Sequence, residues 1–232
     1  MKAREEIRAL ANKEIAQHSL RFFKTDKGEY GHGDLFLGVR APQIRLIAKK
    51  HIDISITDMK TLIQSKYHEE RFLGLIILVN KYAKTKDKKN RNQLYKIYVS
   101  SFKYINNWNL VDVTCPHVTG KHLIDKDRTI LYKWAKSEDL WTKRIAMVST
   151  FSFIRKNDLE DTFKIAEILL QDKHDLIHKA VGWMLREAGK RDIKKEEAFL
   201  KKHYKTMPRT MLRYSIEKFP ETKRQKYLKG TI

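Results

Sequence analysis

Residues 68–84 read HEERFLGLIILVNKYAK, and together with Tyr67 they are predicted to form one long amphipathic helix, Tyr67–Lys84. An apolar run of this length, closed by charges at both ends, is too long for an ordinary strand. Its head is an acid followed by a cation, Glu70 then Arg71. The same head, a cation leading an apolar helix, returns in KRIAMVSTF at Arg144, HKAVGWML at Lys179 and LRYSIEKF at Arg213. Lys179 lies 35 positions after Arg144, Arg213 another 34 on, and Arg71 to Arg144 spans 73, about two such steps. Two-helix repeats of this length build α-solenoids of the HEAT, armadillo or TPR kind.

The rest of the chain agrees with an all-α reading. Only 9 glycines and 4 prolines occur in 232 residues, and the segments between them follow a helical rather than an alternating period. Helices are expected at about Arg4–Phe23, from Pro42 to His51, to about Gln64, at Arg91–Phe102, Arg128–Ser137 and Leu140–Arg155. Another is expected over Asp158–Leu170, capped by Asn157 or Asp158. HDLIHKAVGWMLREAGK ends a further helix at Gly189, and Glu196–Tyr204 and Pro208–Phe219 close the array. The connection GEYGHGDLFLGVRAP has neither the dinucleotide fingerprint nor the Lys-Ser/Thr ending of a phosphate loop.

Lys and Arg number 49 against 28 Asp and Glu, a net charge of +21 with a pI near 9.9. A field of that size selects a polyanion as partner, and nucleic acid is the simplest one. The N-terminal MKAREEIRALANKEIAQ is too polar for a signal peptide, and no apolar run approaches a membrane span. With one cysteine, Cys115, no intramolecular disulfide forms, which fits a reducing cytoplasm.

The missing repeat instance between Arg71 and Arg144 falls on LVDVTCPH, inside Ile105–Gly120, INNWNLVDVTCPHVTG. Here Asp112 stands where the other instances have Arg71, Arg144, Lys179 and Arg213. If equivalent positions line one inner face, that face is basic, suited to a phosphate backbone, with a carboxylate at its middle. Trp108 precedes Asp112 by four residues, so a helix places indole and acid on one side.

GEYGHGDLFLGVRAP, INNWNLVDV, LWTKRIAMVSTF and HKAVGWMLRE resemble the AlkD-like DNA alkylation repair proteins, a likeness running from about Phe22 to Tyr227. The resemblance implies a single domain over 1–232, a right-handed solenoid of HEAT-like repeats with a concave basic face. It implies a monomeric DNA glycosylase that removes cationic alkylated purines such as 3-methyladenine and 7-methylguanine from duplex DNA, without a base-flipping pocket, metal or cofactor. It places the catalytic aspartate on Asp112, paired tryptophans on Trp108 and Trp183, and the active-site arginine on Arg144. With the repeat pattern, it assigns DNA contacts to Arg40, Arg71, Arg144, Lys179 and Arg213. The chain departs from some excising members at Asn107-Trp108-Asn109, where they carry Trp-Trp-Asp, and at Asp175-Leu176, where they carry an aromatic pair. Other paralogues keep the fold as non-catalytic binders of unusual DNA, and that is the alternative reading; a HEAT-type protein-interaction module is a third.

The chemistry suits Asp112. Alkylation at N7 or N3 makes the base a cationic leaving group, so the glycosidic bond breaks toward an oxocarbenium-like sugar that an ionised carboxylate stabilises. Tryptophan faces attract cations, and the planar fork of arginine holds phosphate oxygens in pairs. Two other motifs are weaker. His174-Asp175-Leu176-Ile177-His178 imitates the HExxH zinc motif with Asp for Glu, but no third ligand stands out. Cys115 beside Pro116 and His117 reads as a small buried core residue rather than a nucleophile.

Overall fold

The computed structural model describes residues 1–232, and every regular element in it is helical. A lone bridge between Leu35 and Tyr67 is the nearest approach to sheet. The chain divides into two compact units, Met1–Val118 and Thr119–Ile232.

In the first unit the order is α1 (Lys2–Ala9), α2 (Lys13–Phe22), α3 (Ala41–Lys50), α4 (Ile56–Ile63), α5 (His68–Lys84) and α6 (Lys88–Ser100). A 3-10 turn at Phe102–Tyr104 and the short α7 (Trp108–Asp112) follow. The expected single helix Arg4–Phe23 is two helices. Asn12 ends the first by giving its backbone N–H to the Leu37 carbonyl, 2.9 Å away, and opens the second by accepting from the Ile15 N–H. A side chain that bonds its own backbone competes with helix continuation, and here it wins. Helix α5 is the central post: α3, α4, α1 and α6 pack on it, and His68 through Leu78 are buried without a break. That continuity explains why its apolar run lacks a clear polar stripe.

The second unit contains α8 (Lys121–Leu123), α9 (Thr129–Ala135), α10 (Leu140–Ser149), α11 (Phe151–Ile154), α12 (Glu160–Ile168) and α13 (Asp175–Gly189). It closes with α14 (Ile193–His203), α15 (Arg209–Ser215), a 3-10 turn at Ile216–Lys218 and α16 (Glu221–Lys229). Helix α13 is the post here, with α15, α10, α14 and α12 against it. It meets α15 closely because residue 182 is glycine: a Cβ there would sit 2.5 Å from the Met211 carbonyl oxygen.

Two expectations in this unit are corrected, and one helix was not expected. The helix expected over Leu140–Arg155 breaks at Thr150, whose hydroxyl bonds the Met147 carbonyl. Helix α12 has no side-chain cap: Asn157 sits at φ +61°, Asp158 gives its carboxylate to Arg128, and Leu159 occupies the cap position. Helix α16 lies outside the expected elements, since ETKRQKYLK buries only Tyr227. Its punctuation is nonetheless present in Pro220 before it and Gly230, left-handed at φ 73°, after it.

Candidate active site

Helix α7 is one turn long, and its first and last residues are Trp108 and Asp112. Asn107 enters it in extended backbone at φ −153°, and Pro116 four residues beyond Asp112 opens a π-helical turn, Pro116–Gly120. Both Trp108 and Asp112 are half-buried. The indole lies against two phenylalanines from the end of α2, with ring centroids 5.8 Å from Phe22 and 5.7 Å from Phe23. Phe22 is 53% exposed, a large apolar face left in water beside the tryptophan.

Behind α7 lies a polar network that sequence reasoning missed. Asp34, from the glycine-rich connection, pairs with Arg71 at 2.7 Å, both side chains 5% exposed. Asn106 spans the pair: its amide nitrogen donates to Asp34 Oδ1 at 2.8 Å, and its oxygen accepts from Arg71 at 3.0 Å. Arg71 gives further N–H groups to the Ser65 and Lys66 carbonyls. His68 packs against both the Phe23 and Phe36 rings, at 4.9 and 4.8 Å, which themselves stack at 5.3 Å; its Nδ1 lies 3.4 Å from Asp34 Oδ2 and its Nε2 2.9 Å from the Asn109 amide nitrogen. Burial pushes the Asp34 carboxyl up, but the His68 hydrogen bond, the Arg71 charge and Asn106 outweigh it and hold it below its ordinary value. Burial pushes the His68 imidazolium down more than Asp34 raises it, so the ring is neutral.

Two neighbours of Arg71 tie in the flanking chain. Glu69 accepts backbone N–H bonds from Leu37, Gly38 and Val39, at 2.9, 2.8 and 3.3 Å. Glu70 accepts from Arg8 at 2.6 Å and pairs with Arg4 at 3.0 Å. A run of buried polar residues, HEER, in an otherwise apolar helix was the available signal: such groups are buried only with partners. Asn107 differs, being fully buried with neither amide atom bonded.

Of the cations expected to touch DNA in this unit, Arg40 is exposed at the N-cap of α3. Arg71 is not: its guanidinium is consumed by Asp34 and carbonyl oxygens, and its place is in the support of α7.

In the second unit, Arg144 on α10 is 5% exposed and donates to the Leu176 carbonyl at the start of α13. Trp183 on α13 is half-buried, 5.7 Å from Phe151. Lys179 pairs with Asp175 at 2.6 Å one turn earlier, and Arg213 on α15 is exposed. The zinc-like histidines are otherwise engaged: His174 Nδ1 accepts from the Leu176 N–H, and His178 Nε2 contacts the Asp172 carbonyl. No group of three potential metal ligands is present, and no helix is long and apolar enough to cross a membrane. Cys115 is fully buried.

Residues 3–219 match the family model described as DNA alkylation repair enzyme, and the chain belongs to that family. Among solved structures it is similar to a chain described as a predicted DNA alkylation repair enzyme from Enterococcus faecalis. The TM-score is 0.72 at 16% identity, over 91% of this chain and 97% of that one, a likeness of fold. Curated protein sequences give no match.

Proposed function

We propose that this protein is a DNA N-glycosylase that hydrolyses the bond between deoxyribose and cationic alkylated purines in duplex DNA. The observation that carries this reading is the placement of Trp108 and Asp112 on a one-turn helix held by part-buried hydrogen bonds from Asn106, just before it, and Asn109, within it. Electrostatic catalysis needs a charge fixed before the reaction begins, and a clamped helix supplies that.

In the proposed reaction the alkylated base leaves with the electron pair of the glycosidic bond and so becomes neutral. The positive charge moves to the sugar. Asp112 stabilises it and orients a water, whose oxygen bonds C1′ and whose proton passes to solvent. Trp108 offers a π face to the cation, an attraction of up to about 2 kcal/mol when water is excluded. Trp183 offers its exposed side to a sugar or base face, a role that rests on the family resemblance; Arg144, 5% exposed and bonded to the Leu176 carbonyl, supports the start of α13 rather than holding a phosphate. The +21 charge supplies the general attraction to the DNA backbone.

The deciding experiment measures 7-methylguanine release from alkylated duplex DNA by the wild type and by Asp112→Asn. Release by the wild type and a fall of roughly 10²- to 10³-fold in the variant support the reading. Equal release by both removes Asp112 from the mechanism, and binding without release by either leaves a non-catalytic binder of damaged DNA.

A further inference from the structure

Asn106 and Asn109, two residues before and one after Trp108, do different work from the catalytic groups. Asn106 bonds Asp34 and Arg71; Asn109, one residue past the tryptophan, bonds His68. The direction of that last bond follows from charge. Asp34 is ionised by its Arg71 pairing, so the His68 nitrogen facing it, Nδ1, carries the proton. Nε2 of the neutral ring is then a bare acceptor, and the Asn109 amide must donate to it. The ring has little freedom: it is 2% exposed and packs against both Phe23 and Phe36, at interplanar angles of 28° and 22°, in a cluster of three rings whose two phenylalanines lie 5.3 Å apart. The charged groups around it are Asp34 on the connection and Glu69 and Arg71 on its own helix. Glu69 is engaged with the Leu37, Gly38 and Val39 amides.

We infer that Asn109 and His68 are positioning residues of the base-releasing site: the bond from the Asn109 amide to His68 Nε2, anchored by Asp34, fixes the rotation of α7 and hence where the Asp112 carboxylate stands. Asn109 and Asp112 belong to the same one-turn helix, so a helix that rolls about its axis carries both. This inference rests on the glycosylase reading, and its test separates the two.

Three proteins are compared: wild type, Asn109→Leu and Asn109→Asp. Single-turnover release of 7-methylguanine, affinity for undamaged duplex, thermal midpoint and the ¹⁵N signals of His68 are measured on each. The leucine has no donor, and misplacing Asp112 by a fraction of an ångström to one ångström lowers the release rate by about 10- to 100-fold. DNA affinity stays within about twofold of the wild type, because backbone contacts set it. In Asn109→Asp the new carboxylate faces Nε2 and draws a second proton onto His68. The bond is then restored at low pH, so release approaches the wild-type rate near pH 6 and declines as pH rises and the ring loses that proton.

Wild-type rates in Asn109→Leu overturn the inference, as does a parallel loss of rate, affinity and thermal midpoint, which marks a purely structural role. A wild-type His68 protonated on Nε2 overturns it as well. A wild type that releases no base ends the glycosylase reading instead. The ¹⁵N signal, which needs no activity, then supports the Asn109 to His68 anchor if Nε2 is bare and overturns it if Nε2 is protonated.

Discussion

Asp34 and Arg71, 37 residues apart in sequence, meet at 2.7 Å inside the first unit with 5% of each side chain exposed. The cation at the head of the central helix is therefore neutralised within the fold, and it joins the glycine-rich connection to the INNWN stretch through Asn106. Removing one partner of a buried pair strands the other charge, at a cost of roughly 3–5 kcal/mol. Arg71→Met is expected to lower the urea midpoint accordingly, and Asp34→Asn in the same chain to recover part of the loss. The coupling from the double-mutant cycle decides the matter: strictly additive losses would show that the pair holds nothing together.

The same burial separates two kinds of cation for DNA binding. Each phosphate contact contributes about 0.9 to the slope of log affinity against log salt. Arg40→Ala and Arg213→Ala remove exposed guanidinium groups, so each is expected to lower the slope by about one. Arg71→Met, measured well below its melting temperature, leaves the slope at the wild-type value. A reduced slope in Arg71→Met would instead return that residue to the interface.

The difference between Arg71 and Arg213 marks how far the sequence could be read. Recurrence of a cation before an apolar helix pointed to the helices and their spacing, because the helical period depends only on which residues are apolar. It did not say which cations face water. Arg71 and Arg213 occupy the same place in the pattern, yet one is met by Asp34 from a connection with no repeat equivalent. The Trp108–Asp112 turn was legible from its i,i+4 spacing. Its support was not, since Asp34, His68 and Asn109 are far apart in sequence and only folding gathers them. Asn12 was readable as a cap but lay within a continuous helical period, and α16 was hidden by its lack of apolar residues.

Two glycines of the long connection separate backbone strain from crowding. Gly28 has φ +87°, and a Cβ built there would meet nothing within 4 Å, so Gly28→Ala meets only the left-handed penalty, about 1–2 kcal/mol. Gly38 has φ +79°, and a Cβ there would lie 2.0 Å from the Asn12 carbonyl oxygen. Gly38→Ala must both strain its backbone and push α2 away, so its thermal midpoint is expected to fall well below that of Gly28→Ala. Equal midpoints would mean that the Asn12 turn yields without cost. Because α2 carries Phe22 and Phe23 to Trp108, Gly38→Ala is also expected to alter tryptophan fluorescence while Gly28→Ala leaves it unchanged.

The second unit holds a carboxyl that makes stability depend on pH. Glu196 on α14 is 1% exposed, its Oε1 has no hydrogen-bond partner, and burial followed by the neighbouring Glu197 pushes its pKa up to about 8, against a smaller pull from Arg186. In the unfolded chain the same group titrates near its ordinary value of 4.5. Between those values the folded protein holds a proton that the unfolded one has released, so stability falls as pH rises through this window. At about 1.36 kcal/mol per pK unit, the full loss by about pH 9 is on the order of 5 kcal/mol. Rising pH also reduces the excess positive charge of the whole chain, which acts in the opposite direction, so the wild-type curve alone does not isolate Glu196. The informative quantity is the difference between wild type and Glu196→Gln. Thermal midpoints of the two should converge near pH 5 and separate toward pH 9, with the glutamine protein the more stable; curves that stay parallel across that range would show that Glu196 ionises inside the fold without cost.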